Sequence, residues 1–425
     1  MSKYKDTIYA LSTPVGKSAI AVIRISGEKS LKVLKKTSSI KKIIPNKTKL
    51  TLLIFQKQII DEVLVVFFKK PNSFTGEEMV EIYCHGSTAI IIKISKILEF
   101  LGVRLAEPGE FTRRSLMNNK LDLLQTEGLA DLINSETEKQ RTMAISGLSG
   151  KLSKFVNKTN EKLKLMLANT EALIDFSDED LPKNILNNIL EQNKNIIKRI
   201  EKEIINSEIS RPIRDGFIVS LVGKPNTGKS SFINYISKKE VSIVTNIPGT
   251  TTDTVTSTID IEGYKFMFVD TAGLRKHKNK IEEIGIKKTK EIILNSNLNL
   301  IFLEKKEVRK YDKIKNGVFV KSKLDKRRVI KTEKNITNIS SVTGEGVKKL
   351  LRKIIKKLIK NKKNEPLLSR ERHLNIMKKV LLELRSIKTK DNLDITAFKL
   401  REALKISLEI NQKFDIEDVL DIIFK

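Results

Sequence analysis

The stretch from Phe217 to Ser231 constrains the fold of this chain more than any other, because it predicts a strand, a glycine-rich loop and a helix in succession. Residues 218–222 form a short, β-branched, apolar run of the kind that a buried parallel strand needs. The run leads into GKPNTGKS at residues 223–230, after which apolar residues recur at helical spacing. In this context GxxxxGK followed by Ser predicts a P-loop, whose backbone N–H groups and helix N-terminus bind phosphate. The alternative, a chance glycine-rich turn, is disfavoured by the flanking strand and helix.

The P-loop assigns roles to two side chains. Lys229 can reach the β- and γ-phosphates of a nucleotide, where it serves catalysis, and the hydroxyl of Ser230 can bind Mg²⁺. The nucleotide-binding residues expected in the loop and the first helical turn are Asn226, Thr227, Gly228, Lys229, Ser230 and Ser231.

A second motif, DTAG at residues 270–273, ends a strand predicted over residues 264–269. A strand-terminal Asp270 suits the outer shell of Mg²⁺, and the N–H of the last glycine can reach a γ-phosphate. Between the two motifs lies PGTTTD, where Thr251, or alternatively Thr250, can complete the Mg²⁺ shell. These spacings predict a Ras-like GTPase core, with further nucleotide contacts from Asp270, Thr271, Ala272 and Gly273.

Selection of guanine is predicted from the tetrapeptide Ser322, Lys323, Leu324 and Asp325, which follows a strand predicted over residues 317–321. A carboxylate at position 325 can accept hydrogen bonds from the N1–H and amino group of guanine, which adenine cannot donate. The usual pattern is Asn-Lys-x-Asp, so Ser322 replaces Asn, and the later loop at 340–342 departs from the usual Ser-Ala-Lys. GTP is the expected nucleotide, bound more weakly than by the usual motifs.

The group that orients the attacking water is not evident from these motifs. Ras-type enzymes place Gln directly after DTAG, whereas Leu274 stands here and cannot hold a water molecule. Glu282 and Glu283 offer carboxylates further along the chain. Acids also favour the first turn of any helix, and spacing alone favours that ordinary interpretation.

Length and composition limit the classes of protein to which this chain can belong. At 425 residues the chain is long enough for two to four domains. It has one cysteine, no tryptophan, a polar start and no apolar run of membrane-spanning length, which predicts a reduced, cytoplasmic protein. Cys84 and His85 are adjacent, but without a second cysteine a zinc site is disfavoured, and Cys84 is interpreted as structural.

The net charge is +30, from 81 Lys and Arg residues against 51 acids. Such an excess is typical of proteins that neutralise nucleic-acid phosphates. It is mostly Lys and is spread along the chain, which is equally typical of compositional drift. Both interpretations stay open.

The order of apolar patterns predicts the domain organisation. Residues 1–120 alternate strands, at 20–25 and 62–68, with a helix at 89–101, and polar segments such as 107–120 are expected to be loops. Helical spacing fills residues 121–212 and returns in residues 363–425, with a last helix after Asp415. The nucleotide-binding domain, residues 213–362, is therefore predicted to be inserted into a helical domain.

Nearly the whole chain resembles one family, the bacterial and mitochondrial tRNA modification GTPases MnmE, also called TrmE. Its GTPase motifs are shared by many proteins, whereas two N-terminal blocks make the match specific. The similar segments are residues 6–27, 71–87, 108–133, 223–234, 248–253, 270–275, 281–286 and 417–424. The resemblance implies a multidomain α/β and α fold: an N-terminal α+β folate-binding and dimerisation domain, a helical domain, and an inserted Ras-like P-loop GTPase domain with a mostly parallel sheet flanked by helices.

The resemblance also implies a reaction and its partners. Proteins of this family act as homodimers with the FAD-dependent partner MnmG, forming a heterotetramer. Together they add an aminomethyl or carboxymethylaminomethyl group to carbon 5 of the wobble uridine, position 34, of certain tRNAs. By position, Arg24, Glu81 and Lys120 correspond to the contacts with 5-formyl-tetrahydrofolate, although without the family they would be interpreted as surface charge.

The family is activated by K⁺, and the resemblance places this cation at Asn226 and at backbone oxygens around Thr245, Ile247 and Thr250. A cation there can neutralise charge between the β- and γ-phosphates, as an arginine finger does. Asn246, Pro248 and Gly249 belong to the same nucleotide loop. The water-positioning acid of the family falls on Glu282.

Besides the altered guanine motifs and a stretch between Ile301 and Gly317 that is shorter than usual, two departures from the family are visible. Position 252 is Thr where the family has Arg, and the sequence stops at Lys425, before a terminal Cys-x-Gly-Lys that supplies groups near the folate. We expect this second difference to affect modification chemistry more than GTP hydrolysis. The alternatives to a modification enzyme are a GTP-dependent assembly or ribosome-associated switch, and a nucleotide-binding protein with decayed catalysis.

Overall fold

The computed structural model of this chain describes residues 6–175, 185–239, 241–242, 256–271, 289–304, 308–326, 335–359 and 365–411. The described residues divide into two compact units, one of residues 6–130 with Asn411 and one of residues 131–410. Within these ranges no helix is both long enough and apolar enough to cross a membrane.

The first unit is built on a six-stranded sheet in the order β3-β4-β5-β2-β1-β6. Neighbouring strands are antiparallel except β1 and β6, which are parallel. The strands are β1 (Ile8–Leu11), β2 (Ser18–Ser26), β3 (Lys49–Phe55), β4 (Gln58–Phe68), β5 (Met79–Gly86) and β6 (Arg104–Leu105).

Helices α1 (Ser30–Thr37) and α2 (Thr88–Phe100) cover this sheet and contribute side chains such as Leu34 and Leu98 to one buried apolar core. The strands and the helix predicted for this region are confirmed. Cys84 is buried in the same core, as its structural interpretation requires.

The prediction of a loop over residues 107–120 is wrong, because α3 (Glu110–Met117) lies there. This helix buries charge instead of an apolar stripe: Glu110 and Arg114, one turn apart, form an ion pair with both side chains fully buried. A search for apolar periodicity therefore does not detect it. A fourth helix, α4 (Leu123–Ile133), follows.

The second unit contains a seven-stranded sheet in the order β13-β12-β11-β7-β10-β9-β8. The run from β13 to β10 is parallel, and β9 and β8 continue it in antiparallel pairing. The strands are β7 (Phe217–Gly223), β8 (Val241–Ser242), β9 (Thr256–Ile261), β10 (Tyr264–Asp270), β11 (Leu298–Phe302), β12 (Gly317–Lys321) and β13 (Ile336–Asn338). The prediction of a mostly parallel sheet is confirmed.

The helices of this unit both cover the sheet and form a bundle. They are α5 (Glu138–Leu148), α6 (Lys151–Asp175), α7 (Ile185–Ser207), α8 (Ser210–Asp215), α9 (Lys229–Lys239), α10 (Val347–Ile359), α11 (Glu371–Ser386) and α12 (Leu393–Leu408). Helices α6, α7, α11 and α12 pack on one another. Helices α6 and α7 precede the sheet in the chain and α11 and α12 follow it, which is the order that the predicted insertion requires. The domain bounds 121–212, 213–362 and 363–425 stay a prediction. The last helix predicted after Asp415 lies outside the described residues.

Candidate nucleotide-binding site

The loop between β7 and α9 has the backbone shape of a phosphate cradle. Gly228 has φ of 93°, and Asn226 has φ of 61°, in the left-handed region. A Cβ atom on Gly228 would lie 2.5 Å from the hydroxyl oxygen of Ser322, so the close approach of these two segments requires glycine. The predicted P-loop is therefore a tight turn that ends where α9 begins, at Lys229.

Lys229 is buried, and its ammonium group lies over the loop. Its Nζ donates hydrogen bonds to the carbonyl oxygens of Gly223, at 3.0 Å, and Lys224, at 2.8 Å. The Thr227 hydroxyl donates to the same Lys224 carbonyl at 2.8 Å. The lysine is thus held by backbone groups of the loop in which phosphates bind.

The two predicted magnesium side chains are in contact. Ser230, in the first turn of α9, donates its hydroxyl proton to Asp270 Oδ2 at 3.0 Å. Asp270 is the last residue of β10, which pairs with β7, and the next residue, Thr271, donates its hydroxyl to the Leu221 carbonyl at 2.7 Å. A hydroxyl and a carboxylate are oxygen ligands of the kind that Mg²⁺ prefers, so the residues present fit this cation.

The loop after β12 is tied to the P-loop by two hydrogen bonds. The Ser322 hydroxyl donates to the Thr227 carbonyl, and Lys323 Nζ donates to the Asn226 carbonyl at 2.7 Å. Ser322, which replaces the usual asparagine, therefore still joins the loop after β12 to the P-loop.

One oxygen of the carboxylate that is expected to recognise guanine accepts a hydrogen bond from a serine. Asp325 Oδ1 accepts a hydrogen bond from the Ser340 hydroxyl at 2.6 Å, and this bond lowers the pKa of the Asp325 carboxyl. Ser340 was not among the sequence-predicted site residues. Two signals point to it: it begins the loop that stands in place of the usual Ser-Ala-Lys, and it lies two residues after β13, at the carboxyl end of a parallel strand, where ligand sites of such sheets form.

The described part of this site thus brings together residues 226–231, Asp270, Thr271 and residues 322–325. Of the residues expected around K⁺, Asn226 is described. The other sequence-predicted residues lie outside the described residues: Thr245, Asn246, Ile247, Pro248, Gly249, Thr250, Thr251, Ala272, Gly273 and Glu282.

A second candidate site lies on the sheet of the first unit. Arg24 and Glu81 stand opposite each other on β2 and β5 and form an ion pair at 2.8 Å, in which Arg24 is 38% exposed and Glu81 is buried. Tyr83 donates its hydroxyl to the other oxygen of Glu81 at 2.6 Å, which raises the pKa of Tyr83. Tyr83 was missed, although its position two residues from Glu81 puts both on one face of the strand.

Lys120, the third predicted folate contact, is exposed after α3. Its backbone N–H donates to the Ser115 carbonyl at 2.9 Å, and its aliphatic chain lies so close to Gly76 that a Cβ there would be 3.1 Å from Lys120 Cγ. Within the described chain Lys120 makes no ion pair or hydrogen bond with Arg24 or Glu81.

A buried charge network supports the segments around this candidate site. The Arg114 guanidinium is fully buried and contacts Glu110 at 2.9 Å, Glu77 at 3.1 Å and Asp6 at 2.9 Å. Burial opposes ionisation of Glu110, but hydrogen bonds led by that from Arg104 outweigh it and lower the pKa of Glu110. For Glu110, guanidinium groups therefore favour the charged form of a carboxylate that is itself fully buried.

Two known protein families match this chain, and together they cover nearly its whole length. The family described as "GTP-binding protein TrmE N-terminus" matches residues 7–120, and the family described as "MnmE helical domain" matches residues 123–425. A protein of Orientia tsutsugamushi named tRNA modification GTPase MnmE is 34% identical over 436 residues, which cover 98% of each chain. The protein of that name from Fervidobacterium nodosum is 36% identical over 449 residues, covering 99% of this chain and 96% of its own. Among solved structures, the G domain of the T. maritima FeoB iron transporter is similar over 33% of this chain and 98% of its own, with 22% identity and a TM-score of 0.27.

Proposed function

This chain belongs to the MnmE family of tRNA modification GTPases, and from this premise we propose the substrate, cofactors and partners of its reaction. The protein hydrolyses GTP and, with an FAD-dependent partner of the MnmG type, adds an aminomethyl or carboxymethylaminomethyl group to carbon 5 of the wobble uridine of certain tRNAs. It works as a homodimer, in a heterotetramer with that partner, in the cytoplasm.

One observation carries the GTPase part of the proposal: hydrogen bonds join the P-loop to the end of β10 and to the loop after β12, and each of these three segments has a group suited to one part of a nucleotide. The P-loop supplies Lys229 for the phosphates, the Ser230–Asp270 pair supplies oxygen atoms for Mg²⁺, and Asp325 supplies an oriented carboxylate for guanine. Bound Mg²⁺ would offset charge on the β- and γ-phosphates. The lysine positions the same phosphates, so the transferred group is held for attack by water.

The potassium part of the proposal rests on Asn226. Its backbone is in the left-handed conformation, and its carbonyl accepts a hydrogen bond from Lys323, so the residue is held in the P-loop beside the phosphate site. The oxygen of its side-chain amide is a suitable ligand for a cation near the phosphates. K⁺ there would complete the charge neutralisation that an arginine finger provides in other GTPases. Glu282 is proposed to position the attacking water, with the K⁺ shell completed by Thr245, Ile247 and Thr250.

The folate part of the proposal rests on the paired Arg24 and Glu81. An exposed guanidinium anchored to a buried carboxylate is suited to bind an anionic or polar ligand on the sheet surface. Lys120 supplies a second positive charge. A formyl-tetrahydrofolate bound there would be the donor of the one-carbon unit.

GTP turnover by the purified protein in KCl and in NaCl at equal ionic strength tests the proposal first. We expect turnover stimulated specifically by K⁺, and little turnover in Lys229→Ala. Equal low rates in both salts would remove the potassium mechanism and favour a switch without modification chemistry. Incubation with the partner, folate and a tRNA carrying an unmodified wobble uridine, followed by nucleoside mass spectrometry, tests the modification itself.

A further inference from the structure

Helix α10 presents an unusual surface. Its apolar side chains, such as Leu350 and Ile354, are buried in the core of the seven-stranded sheet. All six of its other residues are basic and exposed, and it has no acid: Lys348, Lys349, Arg352, Lys353, Lys356 and Lys357. Like charges one turn apart repel, so this arrangement does not favour the helix itself.

A large groove lies beside this basic face. Its volume is about 1070 Å³, and it lies between α10 and β13, the edge strand of the sheet. The α10 side of the groove is lined by Lys348, Lys349, Arg352 and Lys353. Polar groups line the opposite side, including Asn335 and Asn338.

Most of the charges in the groove have no partner among the residues that the structure describes, and Lys353 is the exception. In the part of the chain that the structure describes, Lys348, Lys349 and Arg352 make no ion pair or side-chain hydrogen bond. Lys353 is held at the groove by the Thr337 hydroxyl, 3.3 Å from its Nζ. Glu345 is the one acid among the described lining residues, so four positive charges face one negative charge.

We propose that this basic groove binds the phosphate backbone of RNA, namely the tRNA on which the protein acts. The inference rests on the proposed function for the identity of the RNA, and it adds the surface that contacts it. Lys and Arg neutralise phosphates, whereas asparagine side chains and strand-edge backbone groups hydrogen-bond to phosphate and sugar oxygens. Leu324, the residue before Asp325, also lines the groove. RNA bound in the groove would therefore lie beside the loop that is expected to recognise guanine.

A triple substitution with a matched control tests this surface. Lys348→Gln, Lys349→Gln and Arg352→Gln remove three charges from the groove. Lys194→Gln, Lys198→Gln and Lys202→Gln remove three exposed charges from α7, a helix that also carries the acids Glu191, Glu201 and Glu203. The full-length proteins are titrated with a transcribed tRNA at several salt concentrations, and GTP binding is measured in parallel as a check of folding.

For the groove variant we expect tRNA affinity at least about tenfold lower at about 0.1 M salt, and a slope of log affinity against log salt smaller by about 2, from three lost phosphate contacts. GTP binding and the control variant should be unchanged. Equal losses in both triple variants, or none in the groove variant, would overturn the groove as the RNA surface while leaving the GTPase function intact. If the unsubstituted protein binds no tRNA under any salt condition, the groove proposal and the tRNA part of the proposed function fall together.

Discussion

Ser340 and Asp325 show how one hydroxyl prepares a carboxylate for base recognition. The serine donates to Oδ1 and leaves Oδ2 for the ligand, and it favours the ionised form that can accept hydrogen bonds. The hydroxyl of the neighbouring Ser341 is buried and has no hydrogen-bond partner among the described residues, so the same side chain at the next position does not contact Asp325.

Ser340→Ala is expected to weaken GTP binding about five- to tenfold, because Asp325 loses the hydrogen bond that orients its carboxylate. The pKa of Asp325 should also rise toward its ordinary value. A carboxylate with a lowered pKa keeps its charge to lower pH, so affinity in the variant should begin to fall at a higher pH than in the parent protein. Fluorescent-nucleotide titrations across acidic pH measure both effects. Ser341→Ala is the control, and an equal loss in that variant would contradict the role of Ser340.

Cys84 gives a second prediction at single-residue scale. Burial raises the pKa of its thiol to about 11, with a smaller contribution from the charge of Asp61. Because the thiolate is the reactive form, alkylation by iodoacetamide at about pH 8 should be at least about 100-fold slower in the native protein than in the unfolded chain. Mass spectrometry of the labelled protein over time measures the two rates. Fast native labelling would contradict the structural role of this cysteine.

At the scale of elements, apolar strands and helices were predictable and charged ones were not. The strand at 317–321 was predicted with the bounds that β12 has, because β-branched residues between polar breaks identify a buried strand. Helix α3 was missed, since its buried face is made of Glu110 and Arg114. The P-loop residues were predictable because their spacing is local. Ser340 contacts Asp325, 15 residues away, across two neighbouring strands, which a linear motif does not show. Tyr83 lies only two residues from Glu81, so its contact follows from the alternation of a strand, and the motifs did not include it.

Arg114→Met is expected to destabilise the first unit by about 3–5 kcal/mol, because it leaves the buried Glu77 carboxylate without its guanidinium. Glu107→Gln is the matched control: Glu107 is 61% exposed, so the loss of its ion pair with Arg113 should cost about 1 kcal/mol or less. Urea unfolding followed by amide hydrogen exchange in β2 and β5 measures both. Similar losses in the two variants would contradict the importance of the buried network.

The same network predicts the acid stability of the first unit. The pKa values of Asp6 and Glu110 are lowered in the fold, mainly by the hydrogen bonds of Arg104 that outweigh burial. Their contribution to stability is therefore complete above their ordinary pKa values, near 4, and is lost as pH falls through the lowered ones. The stability of the parent protein should decrease over this range, and the difference between it and Arg114→Met should become smaller. A difference that grows on acidification would contradict the ion pairs.

At the scale of the second unit, the GTPase sheet is not an independent insert, because α5 is attached to it. Met143 of α5 is buried in the same core as Ile213 and Phe217. At the start of β10, the Lys139 N–H donates to the Gly263 carbonyl at 3.0 Å, and Lys265 forms an ion pair with Glu136. The other end of β10 is Asp270, beside the magnesium site. One strand thus connects the nucleotide to the helical part of the unit.

Met143→Ala should therefore destabilise the GTPase sheet, although the residue precedes that sheet by more than 70 positions in the chain. A cavity in a packed core costs about 2–5 kcal/mol for this substitution. Ile145→Ala on the same helix is the control, since Ile145 is 41% exposed and should cost about 1 kcal/mol or less. Amide exchange in β7 and β10, with and without a non-hydrolysable GTP analogue, measures the effect on the sheet.

If Met143→Ala speeds exchange only within α5, the helix is merely adjacent to the sheet. If exchange rises in both strands and the nucleotide reverses it, the nucleotide site and α5 form one cooperative unit, which is the physical requirement for GTP hydrolysis to act on the helical bundle.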